Sequence, residues 1–166
     1  MACNSYLTVS DIPGNCGDVG YEEFCRVLEF EDENCFQVDP KQAIKTGALN
    51  IKPTRAICQI DQAYPLLLKA MRQSTNLTIS VVHTDTDADG AKVITDEDNY
   101  EDVIIVGLKK YMPNTSDPSN EQRVKEMEIS WTAGIFTSKQ NSFKAANGVE
   151  AGAKEDTLIT KDPQAS

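Results

Sequence analysis

A chain of 166 residues with 40% hydrophobic composition has the length of one domain and enough apolar mass to build a core. Its formal net charge of −10 argues against nucleic acid or an anionic membrane surface as a partner, because like charges repel. No apolar run reaches the ~20 residues that a membrane-spanning helix needs, so membrane insertion is not expected.

Taken in order, the N-terminus Met1-Ala2-Cys3-Asn4-Ser5-Tyr6 lacks a basic segment followed by an apolar stretch, so no secretory signal and no lipid attachment at Cys3 are expected. Residues 6–12 alternate, with Leu7 and Val9 against Thr8 and Ser10, and predict a first strand that Pro13-Gly14-Asn15 ends. Residues 24–31 predict a second, with Phe24, Leu28 and Phe30 on one face. Residues 31–47 have no sustained period and read as a long loop, a feature that in a compact domain often carries a contact. Residues 49–60 are extended, and Pro53 assigns their first half to an edge or bulge.

Residues 61–72 carry the one strong helical signal. Tyr64, Leu67, Leu68 and Met71 recur at i, i+3, i+4 and i+7, Pro65 suits a first turn, and Asn76 is the expected stop. Beyond it Leu77, Ile79, Val81 and His83 alternate with polar residues, Asp89-Gly90 marks a tight turn, and residues 92–95 form the returning strand. Residues 100–112 hold the most apolar run, 103–108, which predicts a strand covered on both faces. Met127, Ile129, Trp131, Ala133 and Ile135 alternate with polar neighbours and predict a strand with one buried face. About seven strands with one helix between the third and fourth give a mainly β, antiparallel barrel or sandwich. This domain is assigned to residues 1–143, and the small, polar segment 144–166 to a flexible tail.

Few residues here suggest chemistry. The five cysteines form no C-x-x-C pair and a single histidine accompanies them, which predicts neither a zinc site nor a disulfide framework, but a reduced cytosolic chain. The run Asp85-Thr86-Asp87-Ala88-Asp89-Gly90, with Asp96 twelfth, matches the opening of a calcium loop. Three features count against calcium and favour a solvated acidic hairpin tip: Asp replaces the usual Glu at twelve, Lys92 takes an apolar position, and the flanks read as strands. Between Asp85 and Asp102 stand eight carboxylates and one lysine, either a surface for a basic partner or an edge that discourages wrong pairing. His83 has no serine or cysteine motif beside it, and no phosphate or dinucleotide fingerprint is present, so neither an enzyme nor a cofactor is expected.

An ordered set of segments resembles the hemolysin-coregulated protein family, the inner-tube subunits of bacterial type VI secretion systems. It comprises the run from Tyr6 through Ile12-Pro13-Gly14 with Asp18, then Val27-Leu28-Glu29-Phe30, a long loop, the helix start Asp61-Gln62-Ala63-Tyr64-Pro65, Tyr100-Glu101-Asp102-Val103, and Met127-Glu128-Ile129-Ser130-Trp131. Tyr21 stands where the family often has histidine. The resemblance implies a small antiparallel β-barrel with one flanking helix and no catalytic residues. It also implies a hexameric ring that stacks into a tube, with a spike protein, a contractile sheath and small effector proteins as partners, and export from the cytoplasm without a cleaved signal. Phe36, Val38, Ile44 and Leu49, apolar residues in the long loop, are the candidate subunit contacts. The alternatives are a monomeric β domain binding calcium or a protein through the acidic hairpin 85–102, and a phage-type tail tube protein.

Overall fold

Six antiparallel strands close on one another around an apolar core, as the computed structural model of residues 4–42, 44–121, 123–144 and 150–159 shows. The strands are β1 (Asn4–Val9), β2 (Cys25–Glu31), β3 (Asn34–Asp39), β4 (Ile44–Ile51), β5 (Thr54–Gln59), β6 (Leu77–Thr86), β7 (Lys92–Tyr111), β8 (Glu126–Thr132), β9 (Ile135–Gln140), β10 (Phe143–Lys144), β11 (Glu150–Ala151) and β12 (Lys154–Ile159). The barrel runs β1–β2–β5–β8–β7–β6 and back to β1. Closure removes the open edges that a sheet of this size would otherwise expose.

Alternation explains most of the core. Leu7, Val9, Ile79, Val81, Met127, Ile129 and Trp131 point inward from β1, β6 and β8. Tyr6 is buried as well, because the loop before β2 covers the outer face of β1 with Cys16, Tyr21 and Phe24. Gly14 permits this covering, since a Cβ there would collide with the carbonyl of Phe24. In β2 the inward residues are Cys25 and Val27, not Phe24 and Leu28 as the sequence pattern predicts. A register shift between Val27 and Glu29 leaves Leu28 exposed while Phe30 still packs on the core.

Helix α1 (Ala63–Gln73) lies between β5 and β6 and packs against β7. Asp61 holds its start, accepting from Ala63 N at 2.8 Å and from Asn15 N at 3.2 Å. Pro65 falls in the first turn as expected. The buried face is Ala63, Leu67 and Ala70, with Tyr64 and Met71 at its margins and Leu68 exposed. That face has the expected spacing but is rotated, because two alanines flanking one leucine let the helix sit close to the strand. The helix stops at Ser74 rather than Asn76: Ser74 is left-handed (φ 49°) and Thr75 N returns to Ala70 O at 3.0 Å.

Strand β7 replaces the two separate strands expected over 92–95 and 100–112. Its first half pairs with β6 and β9 and its second half with β8. The change of partner falls at Asp102 (φ 53°), where Gly134 N donates to the carbonyls of Glu101 and Asp102. The residues expected as a long loop form the β3–β4 hairpin, a two-stranded ribbon outside the barrel sheet. Within the segment assigned to a tail, residues 154–159 form β12 on the outer edge of β9; residues 145–149 and 160–166 lie outside the described residues.

Candidate assembly surface

The expected contact residues sit on the β3–β4 ribbon, tied to the barrel at its base. Lys52 Nζ meets Glu33 Oε1 at 2.7 Å, and Thr54 Oγ1 donates to Asp32 at 3.3 Å. The ribbon is irregular where Phe36 stands opposite Gly47, Ala48 and Leu49, and the positive φ of Gly47 (77°) takes up the extra residues. Lys45 Nζ lies 4.6 Å from the centre of the Phe36 ring, so these two share a face. Ile44, next in sequence to Lys45, therefore faces the other way. Phe36 is 38% exposed and Ile44 51%, while Leu49 is half-buried. Val38 pairs with Lys45 in register, and its side chain lies outside the described residues. The ribbon thus offers apolar side chains on two faces, which explains the missing period: neither face packs on the core.

A second apolar surface escapes the sequence pattern. The run 103–108, expected to be covered on both faces, buries Val103 and Ile105 but leaves Ile104 39% and Val106 52% exposed on the barrel wall. Beside it a groove of about 220 Å³ is lined by Arg55, Ile57, Lys109, Tyr111 and Glu128 among others. Its charges are largely paired within the chain. Arg55 reaches Glu29 at 2.8 Å, Glu31 at 3.3 Å and Glu128 at 3.4 Å, and Arg123 holds Glu126 at 2.8 and 3.0 Å. The large apolar side chains left exposed beside these pairs are Ile104 and Val106. The continuous apolar run was the signal, but it fits a strand covered within the chain as well as one covered by another molecule.

The remaining candidates lie near the base of the ribbon and along the β6–β7 hairpin. His83 is joined by Ser5 (Oγ to Nδ1, 2.8 Å) and Asp98 (Nε2 to Oδ2, 3.4 Å), a row linking β1, β6 and β7 with Phe30 packed against the imidazole. Nearby, burial holds the Asp32 carboxyl above its ordinary range; the Thr54 hydroxyl opposes the shift and the charge of Asp98 adds to it. In the acidic hairpin, Asp87 Oδ1 accepts from Asp89 N and Ala91 N at 2.9 Å each, and Asp85 Oδ1 accepts from Thr86 N. These oxygens close their own turn around Gly90 (φ 84°). Among the described residues no group of three or more His, Cys, Asp or Glu is placed to hold a metal ion. Cys16, Cys25, Cys35 and Cys58 are free thiols, and burial pushes those of Cys25 and Cys58 up; Cys3 lies outside the described residues.

The family described as "Type VI secretion system effector, Hcp" matches residues 6–137. A protein of Pseudomonas aeruginosa named "Major exported protein" is 34% identical over 111 residues, 66% of this chain; the match spans 64% of that relative's length. Among solved structures, a crystal structure of an Hcp protein superposes with a TM-score of 0.82 at 19% identity, covering 97% of this chain and 99% of that one. The secreted protein Hcp3 of Pseudomonas aeruginosa gives 0.66 at 19% identity, with 96% and 100% covered. A type VI secretion system effector from Yersinia pestis gives 0.69 at 14% identity, with 94% and 99% covered. At these identities the structural likeness is one of fold.

Proposed function

This chain belongs to the Hcp family of type VI secretion proteins, a structural rather than an enzymatic family, and on that premise we propose that it is a ring-forming subunit of the secretion system's inner tube. The observation that carries the reading is the pair of exposed apolar surfaces on one closed barrel: the two-faced ribbon bearing Phe36 and Ile44, and the wall bearing Ile104 and Val106. Two different patches that meet head to tail generate a ring when the rotation closes. In the proposed assembly the β3–β4 ribbon of each subunit covers the β7 wall of the next, and six subunits close the ring. The ribbon residues Phe36, Val38, Ile44 and Leu49 are the proposed contacts. Rings stack into a tube that holds small effector proteins and works with a spike protein and a contractile sheath. The subunit leaves the bacterial cytoplasm without a cleaved signal, a route that fits the name of its exported relative. Residues 1–143 supply the barrel and its ribbon, and those after them the periphery.

Negative-stain microscopy with solution mass from light scattering tests this. Uniform rings of about six protomers are expected. Deleting residues 34–51, or introducing Val106→Glu, is expected to lower the mass while leaving the barrel's circular dichroism intact. Unchanged oligomer mass in both variants would remove the proposed contact, and a monomer at every concentration and salt tried would remove the ring.

A further inference from the structure

Strand β12 is held to the molecule by its main chain far more than by its side chains. It runs antiparallel to β9 from Lys154 opposite Gln140 to Ile159 opposite Ile135. Five of its residues are exposed, and only Leu158 is half-buried. Leu158 sits at a narrow pocket with Asp32, Thr54, Tyr100, Trp131 and Phe136. The pocket is imperfectly filled: about 20 Å³ stays open to the centre of a water-sized sphere, and the buried Trp131 Nε1 has no hydrogen-bond partner among the described residues. One loosely seated leucine and a ladder of edge hydrogen bonds, each exchangeable with water, offset the ordering of this segment only narrowly.

The surroundings let β12 leave without disturbing the rest. It is not one of the six barrel strands, and β9 separates it from β7. It is reached through residues 141–153, where β10 and β11 pair with one another rather than with the main sheet and Gly152 stands in open space. Its departure bares the edge of β9, a row of N–H and C=O groups that templates another strand, together with the leucine pocket. The segment that fits this edge best is another copy of the same one. It restores the register, sets Glu155 opposite Lys139 again, and returns a leucine to the pocket. We propose that β12 exchanges between copies of this chain, residues 154–159 of one protomer adding to β9 of another. This stands independently of the ring, because any two copies in proximity suffice.

Thr137 and Thr157 lie opposite one another with their hydroxyls 3.2 Å apart, close enough for a disulfide in their place. The full-length chain carrying Thr137→Cys is mixed with the full-length chain carrying Thr157→Cys, in a background with Cys3→Ser and Cys35→Ser. After equilibration the mixture is oxidised with copper–phenanthroline. A disulfide-linked dimer containing one of each chain is expected, its fraction rising with protein concentration. The out-of-register pair Thr137→Cys with Lys154→Cys is expected to give little. Equal dimer from that pair would mean random collision and overturn the proposal. No mixed dimer at any concentration, while a single chain carrying both Thr137→Cys and Thr157→Cys closes within itself, would overturn it too. Failure of that double variant to close would remove β12 from β9 altogether.

Discussion

Replacing Leu67 and Leu68 by alanine separates the helix face that packing selects from the face that periodicity suggests. Leu67 is fully buried against the barrel, whereas Leu68 is 38% exposed. Removing three carbons from Leu67 forfeits roughly 2.4 kcal/mol of transfer free energy at ~0.8 per carbon. The incompletely collapsed cavity adds about 1–1.5 kcal/mol, bringing Leu67→Ala to about 3.5–4 kcal/mol. Leu68→Ala leaves no enclosed void and removes a partly hydrated side chain, so its cost is about 1 kcal/mol. Urea unfolding followed by fluorescence reads both, because Trp131 is the single tryptophan and lies fully buried. At a slope of about 2 kcal/mol/M, the midpoint falls by about 2 M for Leu67→Ala and about 0.5 M for Leu68→Ala. Protomer concentration is held fixed and the mass checked, since assembly adds to apparent stability. Equal shifts, or a larger one for Leu68→Ala, would refute the docked face.

Three further outcomes are expected. Tyr6 donates its hydroxyl to Asp18, and that hydrogen bond, first among its causes, holds the Asp18 carboxyl below its ordinary 3.8. Stability from this pair is present above pH 3.8 and lost as pH falls through the lower folded value, so Tyr6→Phe costs about 1–2 kcal/mol at neutral pH and progressively less in acid; a penalty constant down to pH 2 would count against it. For Asp32 the sign is opposite: its folded carboxyl binds the proton more tightly than the unfolded chain does, so stability declines as pH rises above 3.8. Asp32→Asn should therefore unfold at higher urea than the parent at pH 7 and at the same urea below pH 3.8, and a pH-independent difference would contradict the cause given. Finally, subunits of net charge −10 repel one another over the ~8–10 Å that physiological salt leaves unscreened, so sedimentation should show stronger assembly as salt rises from low values. Dissociation on adding salt would instead indicate an ionic interface.

The sequence by itself determined the elements whose environment is one-sided. In β8, and in β6 apart from Val82, one face meets the core and the other does not, so period two is written directly in Ile79, Val81, Met127, Ile129 and Trp131. The order of those strands, with the helix and Pro13-Gly14, was enough to resemble the family that residues 6–137 match. Position within the fold decided the rest. The polar middle of β7 is a strand because its side chains find polar partners across the sheet, Ser80 Oγ to Asn99 at 2.6 Å and His83 to Asp98, not because they are apolar. The β3–β4 ribbon carries no period because neither face packs on the core, and β12 almost none because main-chain pairing and Leu158 hold it. The helix offers apolar residues around most of its circumference, so the side that docks was set by how closely Ala63 and Ala70 let it approach β7. Hydrophobic pattern records burial against the chain's own core; pairing, bulges and surfaces left for another copy arise from neighbours distant in sequence, and only the folded barrel brings those together.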